Sequence, residues 1–301
     1  MISNGKFYES QFEEATIELL REAHWQYAFG DDIHRKYTDP LIEEDLRNFL
    51  TVQYKDKNLT TSEMDSIVAN LRNTGGQNDY YALRNAFLLY RDGYDFAYSD
   101  GRDNPFRLEY IDFEHPDHNI FRCVNQFVME QGRENRRPDI LLFINGIPVC
   151  IIELKNPTKQ NATIHDAHTQ ICTRYMRDIP ALLKYCALAV ISDGAKNALG
   201  TTYTPFEFFY EWKKIENENK AGKGLDTLRT LIRGALSPER ILEILRDYVY
   251  FPDPTKEDDT TEIVCRYPQF FATRKLRDHI LNHLRSVGGD EIGRASCRER
   301  V

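Results

Sequence analysis

The stretch Arg136–Thr158, RRPDILLFINGIPVCIIELKNPT, decides the fold. It contains two largely apolar runs, residues 139–144 and 148–154, with Asn145-Gly146 in the connection between them. An Asn-Gly pair between apolar runs is the strongest short-range signal for a β-hairpin. Because both runs are apolar at successive positions, we expect the hairpin to be buried on both faces, in the middle of a sheet.

A charged pair, Glu153 and Lys155, stands at the end of the second run. Side chains two apart on a strand share a face, so these two point the same way and Leu154 points to the other side. Burying charge is costly unless the charge is paired or binds a metal. The pair therefore marks a candidate functional site, and the alternative is a surface ion pair that ends a strand.

The register of the hairpin decides whether Asp139 joins this pair. A strict two-residue turn pairs Asp139 with Ile152, which puts Asp139 on the wrong face. A three-residue connection, Asn145 to Ile147, pairs it with Glu153 and brings both carboxylates to one face. We predict this second register, or a twist at the strand ends with the same effect, and carboxylate oxygens within ~6 Å across the strand spacing.

The chemistry expected of this group is metal-dependent hydrolysis. Two carboxylates suit Mg²⁺, a hard cation that keeps several waters and accepts phosphate oxygens. Asp139 and Glu153 are the predicted ligands, and the carbonyl of Leu154 is a third candidate. Such a metal polarises a phosphate and lowers the pKa of a bound water. The ammonium of Lys155 can orient that water and offset developing charge.

The flanking sequence predicts an α/β protein with a helical N-terminal part, a strand-rich centre and a C-terminal helical segment. Helical spacing covers residues 9–28, 41–54, 60–72, 80–91, 163–176, 225–236 and 238–248. Strand-like runs cover residues 108–113, 120–129, 187–192 and 206–212. The acidic, proline-containing stretch 252–261 is typical of a connector and is the strongest candidate for a domain boundary.

Composition limits the partners and the compartment. The net charge of −8 argues against a free-standing nucleic-acid binder, unless other subunits or domains hold the nucleic acid. A local basic neighbourhood stands out: Arg133, Arg136, Arg137, Lys155, Lys159, Arg174 and Arg177. The six cysteines form no CxxC pair, and no apolar run approaches the ~20 residues of a membrane span. We therefore expect a cytoplasmic protein without a membrane partner.

The P-D-x(13)-E-x-K arrangement resembles the PD-(D/E)xK nuclease superfamily. Three stretches, HNIFRCVNQFVME, RRPDILLFINGIPVCIIELKNPT and YMRDIPALLKYCALAVISDG, resemble the N-terminal domain of the restriction subunit of type I restriction–modification enzymes. The resemblance runs from about Glu9 to residue 290. It implies an α/β fold with a PD-(D/E)xK core at about 105–215, in which a mixed central sheet is flanked by helices, and with the N-terminal helices as an elaboration. It further implies a Mg²⁺-dependent endonuclease that cuts unmodified duplex DNA. It also implies methyltransferase and specificity subunits as partners.

The same resemblance implies three further site residues. The family carries an acidic residue on its first helix, for which Glu13 is the first choice and Glu9 the alternative. It also carries a Gln-x₃-Tyr motif on the helix after the hairpin, here matched by Gln170 and Tyr175, one residue further apart. Five residues correspond to about 140° on an α-helix, so the two should not share a face as tightly as the motif implies, whereas Gln170 and Arg174 do. We keep Gln170 and Tyr175 as candidate contacts to a DNA phosphate or to metal-bound water, and the alternative for Tyr175 is a buried core tyrosine.

A motor segment is expected after the nuclease domain. Residues 266–272, RYPQFFA, resemble the glutamine motif of superfamily 2 motors, in which the matching Gln269 would read adenine. We predict an endonuclease domain at 1–235, a helical connector and the start of a truncated motor at 236–290, and a non-native tail at 291–301. ATP is accordingly expected as a cofactor of the full-length protein only.

Two other functions remain open from the sequence. One is a nuclease-like module that docks other subunits or DNA without performing chemistry. The other is a nuclease from a different superfamily branch, such as a junction resolvase or a stand-alone defence nuclease. Retention of Asp139, Glu153 and Lys155 weighs against the first, and the long continuation past residue 236 weighs against the second.

Overall fold

The structure is a computed structural model that describes residues 4–155, 163–215, 224–252 and 260–284, with side chains from Ser10 onward. The chain divides into two compact units, Met1–Val264 and Cys265–Val301. The first contains the hairpin and all strands of the central sheet. The division into an endonuclease domain and a connector at residue 235 stays a prediction. The boundary between the two compact units lies after Val264.

The first unit contains groups of helices and groups of strands in succession along the chain. The helices are α1 Asn4–Glu22, α2 Glu43–Gln53, α3 Thr61–Asn73, α4 Asp79–Asp92, α5 Ile164–Thr169, α6 Met176–Asp178, α7 Pro180–Leu183, α8 Leu225–Leu231 and α9 Pro238–Asp247. The strands are β1 Gln26–Phe29, β2 Tyr94–Phe96, β3 Phe106–Leu108, β4 Phe121–Asn125, β5 Met129–Gln131, β6 Glu134–Arg136, β7 Ile140–Ile144, β8 Ile147–Leu154, β9 Leu188–Ser192, β10 Asn197–Gly200, β11 Val249–Tyr250 and β12 Ile263–Val264. The second unit contributes α10 Tyr267–Leu284.

A six-stranded sheet in the order β1-β4-β7-β8-β9-β10 organises the fold. The β1–β4 and β8–β9 pairs are parallel, and the other three are antiparallel. The sheet is therefore mixed, which confirms the predicted α/β class. Among the described residues, no helix combines the length and apolar character that crossing a membrane requires.

The hairpin β7–β8 occupies the centre of this sheet, as predicted. Every residue of both strands is buried. Apolar side chains from β7, β8 and β9 share one cluster with Ile171 and Ile179 from the helical layer that follows the hairpin. Continuous burial explains why the two runs lack the polar alternation of a half-exposed strand.

The connection of the hairpin differs from the prediction. It is a two-residue turn, in which Ile144 pairs with Ile147. Asn145 and Gly146 take φ values of 50° and 76°, as a type I′ turn requires. The extra residue lies in β8 instead: Phe143 pairs with Pro148 and Leu142 with Cys150, which leaves a bulge between them.

This bulge restores the register expected for the carboxylates. Beyond it Ile140 pairs with Ile152, so the next pair along is Asp139 with Glu153. The predicted three-residue connection was therefore wrong, but the bulge in β8 has the same effect on the pairing of Asp139 with Glu153. Pro148 gives the physical reason and was the missed signal, because proline has no N–H for the ladder and inside a sheet favours edges and bulges.

The turn is held by buried polar contacts. The Asn145 side chain accepts a hydrogen bond from the Ile120 amide at 2.8 Å and donates to the carbonyl of Tyr110 at 3.0 Å and to Oδ1 of Asn119 at 2.8 Å. The Ile42 amide donates to the Gly146 carbonyl at 2.9 Å. A Cβ atom added to Gly146 would lie 2.1 Å from the Ile42 carbonyl oxygen, so only glycine fits there.

Several predicted elements have different bounds. The helix predicted over 9–28 ends at Glu22, and a strand, β1, follows His24 at φ 71°. The strands predicted over 108–113 and 120–129 were too long or misplaced, since β3 ends at Leu108 and β4 ends before Gln126, at φ 55°. The strand predicted over 206–212 was wrong: the segment is a 3₁₀ turn followed by a single bridge between Tyr210 and Leu199.

Candidate active site

The two carboxylates of the hairpin come together at the end of β8. Glu153 is 1% exposed and lies on the strand itself, while Asp139 immediately precedes β7. Oδ2 of Asp139 accepts a hydrogen bond from the Leu154 amide at 2.7 Å. The predicted juxtaposition of Asp139 and Glu153 therefore follows from the bulged register. The metal-binding role predicted for the Leu154 carbonyl stays a prediction.

The Glu153 carboxylate is part of a hydrogen-bonded ring of four side chains, whose other members are Lys155, Gln170 and Tyr175. Nζ of Lys155 donates to Oε1 of Glu153 and to Oε1 of Gln170, each at 2.7 Å. Nε2 of Gln170 donates to the Tyr175 hydroxyl at 2.7 Å, and that hydroxyl donates to Oε2 of Glu153 at 3.3 Å. Both oxygens of the buried carboxylate are thus engaged, and the ammonium is fixed in place.

The helix after the hairpin corrects the geometric expectation for Gln170 and Tyr175. Residues Gln170–Tyr175 form a π-helical segment between α5 and α6, not an α-helix. In a π-helix residues five apart lie close to one another, so both side chains reach the same ring. The spacing of five residues between Gln170 and Tyr175, instead of four, was the only sequence signal. The prediction was wrong because it assumed α-helical geometry. π-Segments of this kind occur frequently at functional sites.

Glu13 on α1 connects to the same region. Its carboxylate accepts hydrogen bonds from Nδ2 of Asn125 at 2.7 Å and from Nε2 of Gln126 at 2.9 Å. The backbone N–H of Gln126 in turn donates to the backbone carbonyl of Asp139 at 3.3 Å. Sequence reasoning missed Asn125 and Gln126, although two polar amides at the end of an apolar strand were the available signal. The side chain of Glu9 lies outside the described residues.

Burial and like charge dominate the electrostatics. Burial, and secondarily the nearby Asp139 carboxylate, raise the pKa of Glu153 to about 8, and the Lys155 ammonium opposes this. Burial together with Glu153 also raises the pKa of Tyr175, which stays a neutral hydroxyl. Two carboxylates held close together, one of them buried, favour a cation between them. The donor set of carboxylate oxygens fits a hard divalent ion.

The raised pKa makes stability depend on pH in a defined direction. Between about pH 4.5 and about pH 8 the folded chain keeps a proton on Glu153 that the unfolded chain has lost, so stability should fall as pH rises through this window. Glu153→Gln should flatten the fall, measured as Tm against pH in the presence of a chelator. Glu44→Gln, which removes an exposed carboxylate, is the control. Parallel curves for the wild type and Glu153→Gln would contradict the prediction.

The basic neighbourhood is partly neutralised. Asp178, with a side chain 3% exposed, binds Arg136 at 2.7 Å and Arg177 at 2.6 Å. Arg133, Arg137 and Arg174 are exposed. Arg137 stands two residues before Asp139, and Arg174 lies on the π-segment. Exposed guanidinium groups therefore flank the carboxylates. Lys159 lies outside the described residues.

Gln269 belongs to the second unit. It lies in the first turn of α10, where its Oε1 accepts a hydrogen bond from the Arg266 amide at 2.8 Å. In this conformation the side chain caps the start of the helix, and adenine binding stays a prediction. The predicted motor residues beyond 284, including Gly288-Gly289-Asp290, and the predicted tail at 291–301 lie outside the described residues.

Comparison with known proteins agrees with the resemblance. A family model described as the type I restriction enzyme R protein N terminus matches residues 6–208. The HindI endonuclease subunit of Haemophilus influenzae is 28% identical over 297 residues, which cover 95% of this chain and 28% of that protein. The putative MjaIXP endonuclease subunit of Methanocaldococcus jannaschii is 27% identical over 293 residues, which cover 89% of this chain and 27% of that protein.

A third relative, the putative MjaVIIIP endonuclease subunit of the same archaeon, is 31% identical over 183 residues, covering 59% of this chain and 17% of its own length. The chain thus spans roughly a quarter of the length of the first two relatives. The matched family segment includes the hairpin, the ring of Glu153, Lys155, Gln170 and Tyr175, and Glu13. The chain belongs to the family of N-terminal regions of type I restriction enzyme R proteins.

Proposed function

We propose that this chain is the Mg²⁺-dependent endonuclease part of a type I restriction enzyme, and that it hydrolyses phosphodiester bonds of unmodified duplex DNA. The observation that carries the proposal is the convergence of Asp139, Glu153 and Lys155 at one end of a buried hairpin. The named relatives are endonuclease subunits, which supports the same class of reaction. A PD-(D/E)xK core at about 105–215 belongs to the proposal.

Asp139 and Glu153 would hold the metal, with the Leu154 carbonyl as a third oxygen. The fit rests on the donor set and on burial: burial, and secondarily repulsion by Asp139, raise the pKa of Glu153, and a bound cation would favour its charged form against both. When bound, Mg²⁺ would supply Lewis-acid polarisation of the phosphate and a water of lowered pKa. The backbone amide of Leu154 holds Asp139 in position, at 2.7 Å from Oδ2.

Lys155 would orient the attacking water and offset negative charge on the phosphate. Its ammonium is fixed by two acceptors, Glu153 and Gln170, so little reorganisation is needed when charge develops. Tyr175 closes the ring and holds the amide of Gln170 with its oxygen toward Lys155. In this assignment Gln170 and Tyr175 are positioning residues for the ammonium.

Glu13 would act at the edge of the same site. Its contacts with Asn125 and Gln126 fix the end of β4, whose next residue donates to the backbone of Asp139. The exposed arginines would meet DNA phosphates near the carboxylates. The chain is acidic overall, so DNA would be delivered by the rest of the enzyme.

The remaining assignments follow the resemblance to restriction subunits of type I enzymes. We propose that methyltransferase and specificity subunits are partners in a cytoplasmic complex, and that ATP-driven translocation by a following motor precedes cleavage. Residues 1–235 would form the endonuclease domain, residues 236–290 the connector and the start of the motor, and 291–301 a non-native tail. Gln269 would contact ATP only in the full-length protein.

Metal binding by the chain itself tests the proposal. Calorimetry with Mg²⁺ and with Mn²⁺ should detect a site that Glu153→Gln weakens strongly, because one of its two carboxylate ligands is lost. Glu44→Gln, at an exposed position, should bind as the wild type does. Absence of binding at millimolar metal would favour instead a catalytically silent docking or DNA-binding module.

The π-segment predicts that one particular deletion should preserve activity. Deletion of Thr173, which is exposed, shortens the Gln170–Tyr175 spacing to four residues. Since residues four apart share a face of an α-helix, the ring can form again once the segment becomes α-helical. Plasmid cleavage by the assembled enzyme should therefore survive the deletion but fall on Gln170→Ala. The reverse order of activities would contradict the positioning role.

A further inference from the structure

A second cluster of potential metal ligands lies at the other end of the hairpin. Asp112, His115 and His118 follow one another at spacings of three residues, around a short 3₁₀ turn, Pro116–His118. Oδ2 of Asp112 lies 3.2 Å from Nδ1 of His115 and 2.9 Å from Nδ1 of His118. The three ligand atoms lie within 4.8 Å of one another.

These distances suit a tetrahedral ion. Zinc bonds of about 2.0 Å in tetrahedral geometry place neighbouring ligand atoms about 3.3 Å apart. The two Asp–His distances are close to this value. The imidazole rings stack at 4.7 Å between centroids and 23° between planes, and both Nδ1 atoms face Oδ2 of Asp112. Both histidines are exposed, so their Nε2 atoms can carry the proton in water.

The carboxylate is positioned in advance. Oδ1 of Asp112 accepts from the amides of Glu114 at 3.0 Å and His115 at 2.9 Å, which leaves Oδ2 directed at the two rings. Gln53 also donates to Oδ2, at 3.2 Å. The Asn119 side chain brackets the backbone of Asp112, accepting from its amide at 2.9 Å and donating to its carbonyl at 2.7 Å.

We propose that Asp112, His115 and His118 bind Zn²⁺ at a site separate from the Asp139–Glu153 site, with one coordination position open to water. Two imidazole nitrogens and one carboxylate oxygen are a donor set that zinc accepts, with water completing the coordination. The ion would clasp the segment 112–119. That segment contacts Asn145 of the hairpin turn through Asn119, so zinc would stabilise the turn end of the central hairpin.

Zinc titration of the 301-residue chain carrying Glu153→Gln, which disables the other site, tests the proposal. Calorimetry should detect one Zn²⁺, and Co²⁺ should give the visible absorption of a tetrahedral site. His115→Ala and His118→Ala should each weaken binding at least about 100-fold, since loss of even an outer contact to a ligand costs 10–100-fold. Zn²⁺ should raise the Tm of the Glu153→Gln chain, the parent of these variants, by about 5 °C. It should leave the Tm of the His115→Ala/His118→Ala double variant unchanged.

The matched control is His283→Ala, because His279 and His283 lie one turn apart on α10, with ring centroids 4.0 Å apart, and are another pair able to bind zinc. It should bind as the parent does. Since His115 and His118 are exposed, their alanine variants should fold, which circular dichroism checks. The proposal is overturned if no zinc binds, if His283→Ala removes the signal, or if the His115→Ala/His118→Ala variant retains it.

Discussion

Replacing Lys155 by alanine in the assembled enzyme should reduce plasmid cleavage by about a thousandfold or more while ATP hydrolysis continues. Its ammonium is held 2.7 Å from both Glu153 and Gln170, so no neighbouring group can take its place without rearrangement. Lys155→Arg should rescue poorly, because the planar guanidinium differs in size and donor geometry from a compact ammonium.

The control for this experiment is Lys36→Ala. Lys36 is exposed and lies outside the ring, so the substitution removes one positive charge without touching the carboxylates. Cleavage by this variant should match the wild type. Undiminished cleavage by Lys155→Ala, with ATP hydrolysis intact in both variants, would refute the assignment of the active site.

Asn145→Ala should destabilise the chain by about 3 kcal/mol. The substitution leaves the buried carbonyl of Tyr110 and the amide of Ile120 without the partners that Asn145 supplies, and each such loss costs about 1–3 kcal/mol. The midpoint of urea unfolding should fall with little change in slope. Asn145→Gly should lose nearly as much, because it keeps the φ of 50° but not the hydrogen bonds.

Asn58 offers a matched control for backbone strain. It also has a positive φ, 49°, but is exposed. Asn58→Ala therefore carries the conformational cost of about 1 kcal/mol without the loss of a buried network. Equal destabilisation by Asn58→Ala and Asn145→Ala would show that strain, and not the network, accounts for the effect.

Local patterns predicted the centre of the fold. Unbroken apolar character placed β7 and β8 in the middle of the sheet, and a period of two put Glu153 and Lys155 on one face. Both inferences depend only on neighbours in sequence. Helical and strand-like runs predicted the α/β class, and the family resemblance implied a mixed sheet. The strand order was not predicted, since pairing of β1 with β4 joins residues about 100 positions apart.

The details of the site depended on features that ideal geometry omits. A bulge beside Pro148, and not the turn, brings Asp139 opposite Glu153. A π-helical segment, and not an α-helix, brings Gln170 and Tyr175 together. Each is a single-residue departure from a regular element, and each shifts every later side chain. Periodicity alone cannot show such departures, because it averages over many residues.

The close approach of Gly146 to Ile42 also bears on folding kinetics. About 100 residues separate the two, and a similar interval separates β1 from β4, so the protein has many contacts distant in sequence. The hairpin itself closes locally and should form early, on a microsecond scale. Its docking against the helical layer formed by the earlier part of the chain must wait for long loops to close. Insertion of the central hairpin is therefore the step that we expect to limit the folding rate.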